Sequence, residues 1–279
     1  MRVVVTGGAG KAGRAVVREL VDHGHRVRNV DLRPQGEAAG EPYQADLTDL
    51  GQTYEVLRRQ EAVVHLAAIP RPYLLTDEQT FRINVLSAYN VFAAAAHLGL
   101  QRVVWASSET VLGLPFDSSV PSFPVDEEQP PAPKSTYALS KVVGEDLARY
   151  FAAKAGIPYI GLRFSNIYDE ADYGAVASFQ DDPRARSWNA WGWVDARDVA
   201  QACRRALEAD VGGAEVFIIA AADTVMATPN DRLLAEVFPG VPVRGALGPY
   251  ETLLSIGKAR RVLGYDPRYS MDAYVPRSG

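Results

Sequence analysis

Apolar positions along the chain follow two rhythms. Short unbroken runs rich in valine and isoleucine recur at residues 2–6, 27–31, 62–66, 102–106, 158–163 and 214–220. Runs without polar alternation mark strands covered on both faces, as in a parallel sheet. Between them the period lengthens to that of a helix. Residues 11–24 carry Ala12, Val16, Leu20 and Val21, residues 77–98 form a long helical stretch, Ser135 caps another that runs to about Ala155, and residues 195–209 make a fourth. Strand and helix in alternation predict an α/β fold built on a doubly wound parallel sheet.

Two segments break the rhythm. Residues 33–40, with Arg33-Pro34, Gly36 and Gly40, read as the loop after the second strand. Residues 115–133, rich in proline, serine and acid, read as a surface loop of the kind that covers a substrate site. Beyond Asn166 the pattern turns irregular, with Asp, Pro and Gly mixed through residues 168–187.

The first strand runs into Thr6-Gly7-Gly8-Ala9-Gly10-Lys11-Ala12-Gly13, which satisfies both G-x-G-x-x-G and G-x-x-G-x-x-G. A glycine turn between a strand and a helix lets backbone approach a pyrophosphate, and the helix N-terminus offers it amide donors. Asp31 ends the second strand, where a carboxylate accepts hydrogen bonds from adenosine ribose hydroxyls and repels a 2′-phosphate. That favours NAD, while Arg33, Lys11 and Arg14 leave NADP open. Asp46-Leu47 is placed to meet an adenine.

Ser107 and Ser108 follow the strand ending at Ala106, and Ser108 is the residue expected to hydrogen-bond a substrate oxygen. Tyr137 and Lys141 stand four apart on one helical face, so an ammonium can lie near a phenol and favour its ionised form. Such a phenol exchanges a proton with a substrate hydroxyl while hydride moves to or from a nicotinamide. Each piece alone is common; the ordered set of glycine turn, strand-end serine, tyrosine and lysine is not.

Charge and composition narrow the partners. A net charge of -5 and a pI near 5.5 argue against nucleic acid or anionic lipid and for a small molecule. Cys203 is the only cysteine, so no intrachain disulfide forms, and the scattered histidines show no metal-ligand spacing. The first strand starts at Arg2, and the longest uncharged stretch, residues 83–101, holds Asn84, Ser87, Asn90 and His97, too polar for a lipid-facing span. The expected setting is cytoplasmic.

With these residues in order, the chain resembles the short-chain dehydrogenase/reductase superfamily in its extended, epimerase/dehydratase branch, over nearly its full length. Further matches are His65-Leu66-Ala67-Ala68, Asn84, Ala106-Ser107-Ser108-Glu109-Thr110-Val111, Leu162-Arg163-Phe164-Ser165-Asn166 and residues 193–200 and 255–267. The resemblance implies a Rossmann domain over residues 1–165 that binds NAD, and a segment over residues 166–279 that completes the sheet and forms a small substrate lobe. Tyr137 would be the acid or base, Lys141 would lower its pKa and hold the nicotinamide ribose, and Ser108 would orient the reacting oxygen. Gly7, Gly10, Lys11, Ala12, Gly13, Asp31, Leu32, Arg33, Asp46, Leu47, Leu66, Ala67, Ala68, Asn84, Ala106 and Phe164 would line the cofactor path. Ser107, Ser108, Glu109, Asn166, Ser178 and Phe179 would meet the substrate, and His65 would be structural.

Nucleotide-sugar epimerases of this branch insert a long segment after the position of Asn166, whereas here only residues 167–192 precede Trp193. Residues 168–183 instead resemble the compact uronate and aldose dehydrogenases. The resemblance thus implies NAD-dependent oxidation of a sugar or polyol at a secondary or anomeric hydroxyl, with a UDP-sugar epimerase or dehydratase, or a non-catalytic dinucleotide sensor, as alternatives. Uronate dehydrogenases carry an arginine for the substrate carboxylate just after the tyrosine of this segment; Gly174 stands there, leaving Arg184 and Arg186 as substitutes. Relatives pair through two helices, equivalent to the stretch around residues 84–98 and the Tyr137 helix, so a homodimer is expected.

Overall fold

The computed structural model describes residues 1–33 and 39–277. Its elements run β1 (Arg2–Thr6), α1 (Lys11–Asp22), β2 (Arg26–Asp31), β3 (Glu41–Gln44), α2 (Leu50–Leu57), β4 (Ala62–His65), α3 (Asp77–Leu98) and β5 (Arg102–Ser108). The second half continues α4 (Thr136–Ala155), β6 (Tyr159–Phe164), β7 (Ile167–Tyr168), β8 (Val194–Asp195), α5 (Ala196–Glu208), β9 (Ala214–Ile219), α6 (Asn230–Val237) and α7 (Gly257–Leu263). Seven strands form one parallel sheet in the order β3-β2-β1-β4-β5-β6-β9. The doubly wound sheet read from the valine runs is therefore present.

The valine runs work because successive side chains of a strand point to opposite faces and both faces are covered. Val3 and Val5 pack with Val16, Val17 and Leu20 of α1, while Val4 packs on the other side with Val56, Leu57 and Phe92 of α2 and α3. Chain order reverses at β1, whose neighbours are β2 on one side and β4 on the other. At such a switch point the loops leave in opposite directions and open a crevice at the carboxyl ends of the strands. The glycine turn lies there.

Local signals set the long helices. Thr76 accepts from Gln79 N to cap α3, Gly99 ends it in the left-handed region, and Ser135 accepts from Ala138 N to cap α4. Three features differ from the sequence reading. The edge strand β3 carries no apolar run; it is held by parallel pairing to β2, from Arg28 with Glu41 to Asp31 with Gln44. β5 extends through Ser107 and Ser108, which pair with Arg163 and Phe164, so the serines belong to the strand. Residues 115–133 are no simple surface loop, because Phe116, Val120, Phe123 and Val125 are buried and bridges tie Phe123 to Val243 and Val125 to Leu254. The loop expected at 33–40 lies partly outside the described residues. No helix among the described residues is long and apolar enough to cross a membrane.

Candidate active site

The glycine turn is shaped by what its glycines exclude. Gly7 has φ +70, and a Cβ there would lie 2.7 Å from Ala67 N at the end of β4. A Cβ on Gly8 would meet Asn29 Oδ1 at 1.6 Å, and one on Gly13 would meet Gly7 O at 2.1 Å. At Gly7 and Gly13 the clash is with backbone and admits no side chain, so strand end, turn and helix close on one another. Gly10 differs: its Cβ would meet only Gly7 O, at 3.2 Å, which leaves bare backbone at the start of α1. Ala12 packs on the core beneath it.

Asp31 sits against this turn, accepting from Ala9 N at 3.0 Å and from Arg33 N at 3.1 Å. The side chains of Leu32 and Arg33 are exposed. Asp46 folds into its own turn, accepting from Thr48 N and Oγ1 at 2.9 and 2.7 Å, and the buried Leu47 offers its carbonyl to Asn90. Leu66 and Ala67 donate their amides to Thr6 Oγ1, both at 3.2 Å. This places Leu66, Ala67 and Ala68 beside Gly7.

Two expected cofactor side chains have other partners. Lys11 Nζ pairs with Asp172, lies 3.7 Å from Asp169 and donates to Ile167 O, while Arg14 lies 3.5 Å from Asp169. Its ammonium thus bridges to the segment after Asn166, drawn by two carboxylates that no local pattern announces. Asn84 clasps the backbone of Ile69 through both amide atoms, at 2.7 and 3.2 Å, and donates to Ser140 Oγ. It holds the strand-end loop in place. His65, bonded to Thr6 Oγ1 at 2.8 Å and lowered to about 3 by burial, is structural as expected.

At the end of β5, Ser108 Oγ accepts from Thr110 N at 3.2 Å and from Thr110 Oγ1 at 3.0 Å, and its hydroxyl stands near enough to the Tyr137 phenol to favour the phenolate. Tyr137 opens α4, and Lys141, one turn on, holds its Nζ 5.7 Å from the tyrosine ring and donates to Ala106 O at 2.8 Å. Burial pushes the phenol up to about 12, with the neighbouring Ser108 hydroxyl opposing and the Glu109 carboxylate adding. Burial also brings Lys141 down to about 8. The expected lowering of the tyrosine by its lysine is therefore corrected: desolvation of the anion dominates and raises the phenol, while the ammonium is engaged with the Ala106 carbonyl.

Ser107 and Glu109 are corrected as substrate contacts. Alternation along β5 turns Ser107 away from Ser108, and its hydroxyl donates to Glu145 Oε1 at 2.8 Å. Glu145 in turn receives Arg163 at 2.9 and 2.8 Å, an ion pair sealed in the interior. Glu109, 3 % exposed, accepts from Ser165 Oγ at 2.6 Å and from Asn189 Nδ2 at 3.0 Å. Burial raises its carboxyl to about 7, against the hydrogen bonds and the charge of Arg186.

Phe164 ends β6 in register with Ser108, and two residues on Asn166 accepts from Arg186 Nη2 at 2.8 Å. The Arg186 guanidinium lies 5.0 Å from the ring of Trp188, 5.8 Å from Tyr168 and 5.9 Å from Phe179. Ser178 is exposed and donates to Ala175 O within its own turn. Asn189, fully buried, escaped the sequence reading; it precedes Ala190 and Trp191, whose φ of +51 and +56 make a turn that no glycine marks.

Glycine turn, strand-end acid, Ser108, Tyr137 and Lys141 thus gather at the carboxyl edge of one sheet, and residues 3–220 match the sequence model of the NAD dependent epimerase/dehydratase family. The chain belongs to that family. Within it, an L-arabinose 1-dehydrogenase (NAD(P)(+)) of Haloferax volcanii is 28% identical, with 96% of each chain covered. A putative UDP-glucose 4-epimerase of Methanocaldococcus jannaschii is 31% identical over 64% of this chain and 62% of that one. Among solved structures, a short-chain dehydrogenase/reductase superfamily protein from Agrobacterium tumefaciens with bound NAD superposes with a TM-score of 0.75 at 26% identity, covering 98% of this chain and 94% of that one. Epimerase/dehydratase family membership accounts for the order of the motifs; the residues around them are this chain's own.

Proposed function

We propose that this protein is an NAD-dependent dehydrogenase that oxidises a secondary or anomeric hydroxyl of a monosaccharide or related polyol. The observation that carries the reading is the Ser108 hydroxyl beside the Tyr137 phenol, with Lys141 one turn away, at the sheet edge that also carries the glycine turn and Asp31. The residues fit a dinucleotide: backbone is bare at Gly10, and Asp31 stands where a ribose needs an acceptor. NAD, when bound, supplies the hydride acceptor. Residues 1–165 hold it and carry the proton chemistry, and the remainder faces the sugar.

Gly7, Gly10 and Gly13 shape the pyrophosphate cradle, Asp31 takes the adenosine ribose and Lys141 the nicotinamide ribose. Ser108 orients the substrate oxygen, and Tyr137 Oη accepts its proton. Tyr137 takes that proton only as its phenolate, and burial, by holding the phenol near 12, makes that form scarce at neutral pH, so oxidation speeds up as pH rises. Lys141 is the cation available to ease it. Arg186, anchored on Asn166, is our candidate for an acidic group on the sugar, in the role for which Gly174 has no side chain.

Between Asn166 and Trp193 the chain forms only a two-residue strand and short 3-10 turns at Tyr173–Phe179 and Ser187–Asn189, little material to grip a nucleotide, which supports a monosaccharide. The likeness to a named 4-epimerase keeps a nucleotide-sugar epimerase as the second reading. The test follows NAD reduction by purified protein across aldoses, uronates and sugar phosphates. Reduction with at least one sugar is expected; silence together with interconversion of a UDP-sugar overturns the dehydrogenase in favour of the epimerase.

A further inference from the structure

Glu109 directly follows Ser108, is buried, and raises the Tyr137 phenol by its charge, yet both its oxygens face protein donors. Those donors belong to the two segments that present Arg186. Ser165 immediately precedes Asn166, the acceptor of Arg186 Nη2. Asn189 sits in the turn that Arg186 begins, where Trp191 N donates to Arg186 O at 3.1 Å and Asn189 Nδ2 also donates to Gly192 O at 2.8 Å. The contacts close a ring: Glu109 to Ser165 and Asn166, across to Arg186, through its turn to Asn189, and back.

We propose that Glu109 is a positioning residue: its carboxyl group, wedged between Ser165 and Asn189, fixes the Arg186 guanidinium relative to the Ser108–Tyr137 pair. Two facts make this more than general packing. The turn it pins holds consecutive non-glycine residues at positive φ, a conformation that persists only where neighbours enforce it. And Glu109 follows Ser108 directly, so one strand end sets the reacting hydroxyl and the substrate-binding cation together. The inference rests on the sugar dehydrogenase reading for its kinetic test, but Trp188, 5.0 Å from the guanidinium, reports on the same geometry without turnover.

The experiment compares Glu109→Gln, Glu109→Ala and Asn189→Ala with the unaltered chain. Glutamine can accept from Asn189 and donate to Ser165, so Glu109→Gln keeps KM for an acidic sugar within about twofold, whereas Glu109→Ala and Asn189→Ala raise it roughly tenfold with NAD affinity unchanged. Trp188 emission, taken as the difference from Trp188→Phe, is the same in the unaltered chain and Glu109→Gln and shifts in Asn189→Ala. A silent sugar panel sinks the dehydrogenase reading and leaves the emission to decide on Glu109. Unchanged KM and unchanged emission in Asn189→Ala, or a Glu109→Gln variant as impaired as Glu109→Ala, overturns the proposal.

Discussion

Glu109 and Tyr137 show how burial changes the meaning of a residue type. A carboxyl raised from its ordinary 4.5 to about 7 keeps its proton in the folded state while the unfolded chain loses it. The unfolded state therefore binds fewer protons between those values, and stability falls as pH rises through that window, then levels off. In Glu109→Gln this term is gone, so the melting temperature of the variant relative to the unaltered chain climbs from about pH 4.5 to pH 7 and is flat above; a constant difference would refute the assignment. The same substitution removes an anion near Tyr137, and the alkaline rise of sugar oxidation moves to lower pH. Tyr137→Phe loses about 10²-fold or more in turnover while retaining NAD, as calorimetry would record. Gly13→Ala acts through backbone instead: its Cβ would fall 2.1 Å from Gly7 O, so the turn must open, and NAD affinity drops while the sheet still folds.

Among the elements, α4 has a double duty that its sequence conceals. Its first turn brings Tyr137 to the sheet edge, and its middle buries Glu145 against Arg163 of β6, with Ser107 as third partner. Removing one member of a sealed pair leaves the other charge without compensation, so Glu145→Ala lowers unfolding free energy by about 3–5 kcal/mol in chemical denaturation. Ser107 could be read as a substrate contact because a strand end is visible in sequence, but the partner across the sheet is not. Lys11 teaches the same lesson. Its position after the glycines is legible, yet Asp169 and Asp172 reach it only because the segment after β6 folds back over α1. The segment 115–133 departs from a surface loop for a related reason: Phe123, set among prolines, is buried by Phe116 at 6.2 Å and by Phe238 at 5.2 Å, the latter from a distant part of the chain.

For the whole molecule, α3 and α4 pack on each other and leave a shared apolar groove lined by Phe81, Val85, Leu86, Tyr89 and Leu147. Leu86, Tyr89, Leu139 and Tyr150 are all more than a third exposed, which is a continuous cost to a lone chain. A second copy presenting the same helices would cover it symmetrically. We propose a two-fold dimer through this face: light scattering is expected to give a dimer for the unaltered chain and a monomer for Tyr89→Glu, and a monomer in both would remove this interface.

Most buried strands, the four longest helices, their alternation and the glycine turn were legible in the residues, because hydrophobic period, caps and glycine conformations are properties of near neighbours; the edge strand β3, with no apolar run, was not. The ordered serine, tyrosine and lysine were legible too, their chemistry being carried by type and spacing. The folded packing set the rest: Ser107 turned toward Glu145, Glu109 sealed between Ser165 and Asn189, and Arg186 beside Asn166. Those outcomes depend on desolvation and on partners 20 to 80 positions away in the chain, and neither is written in local sequence.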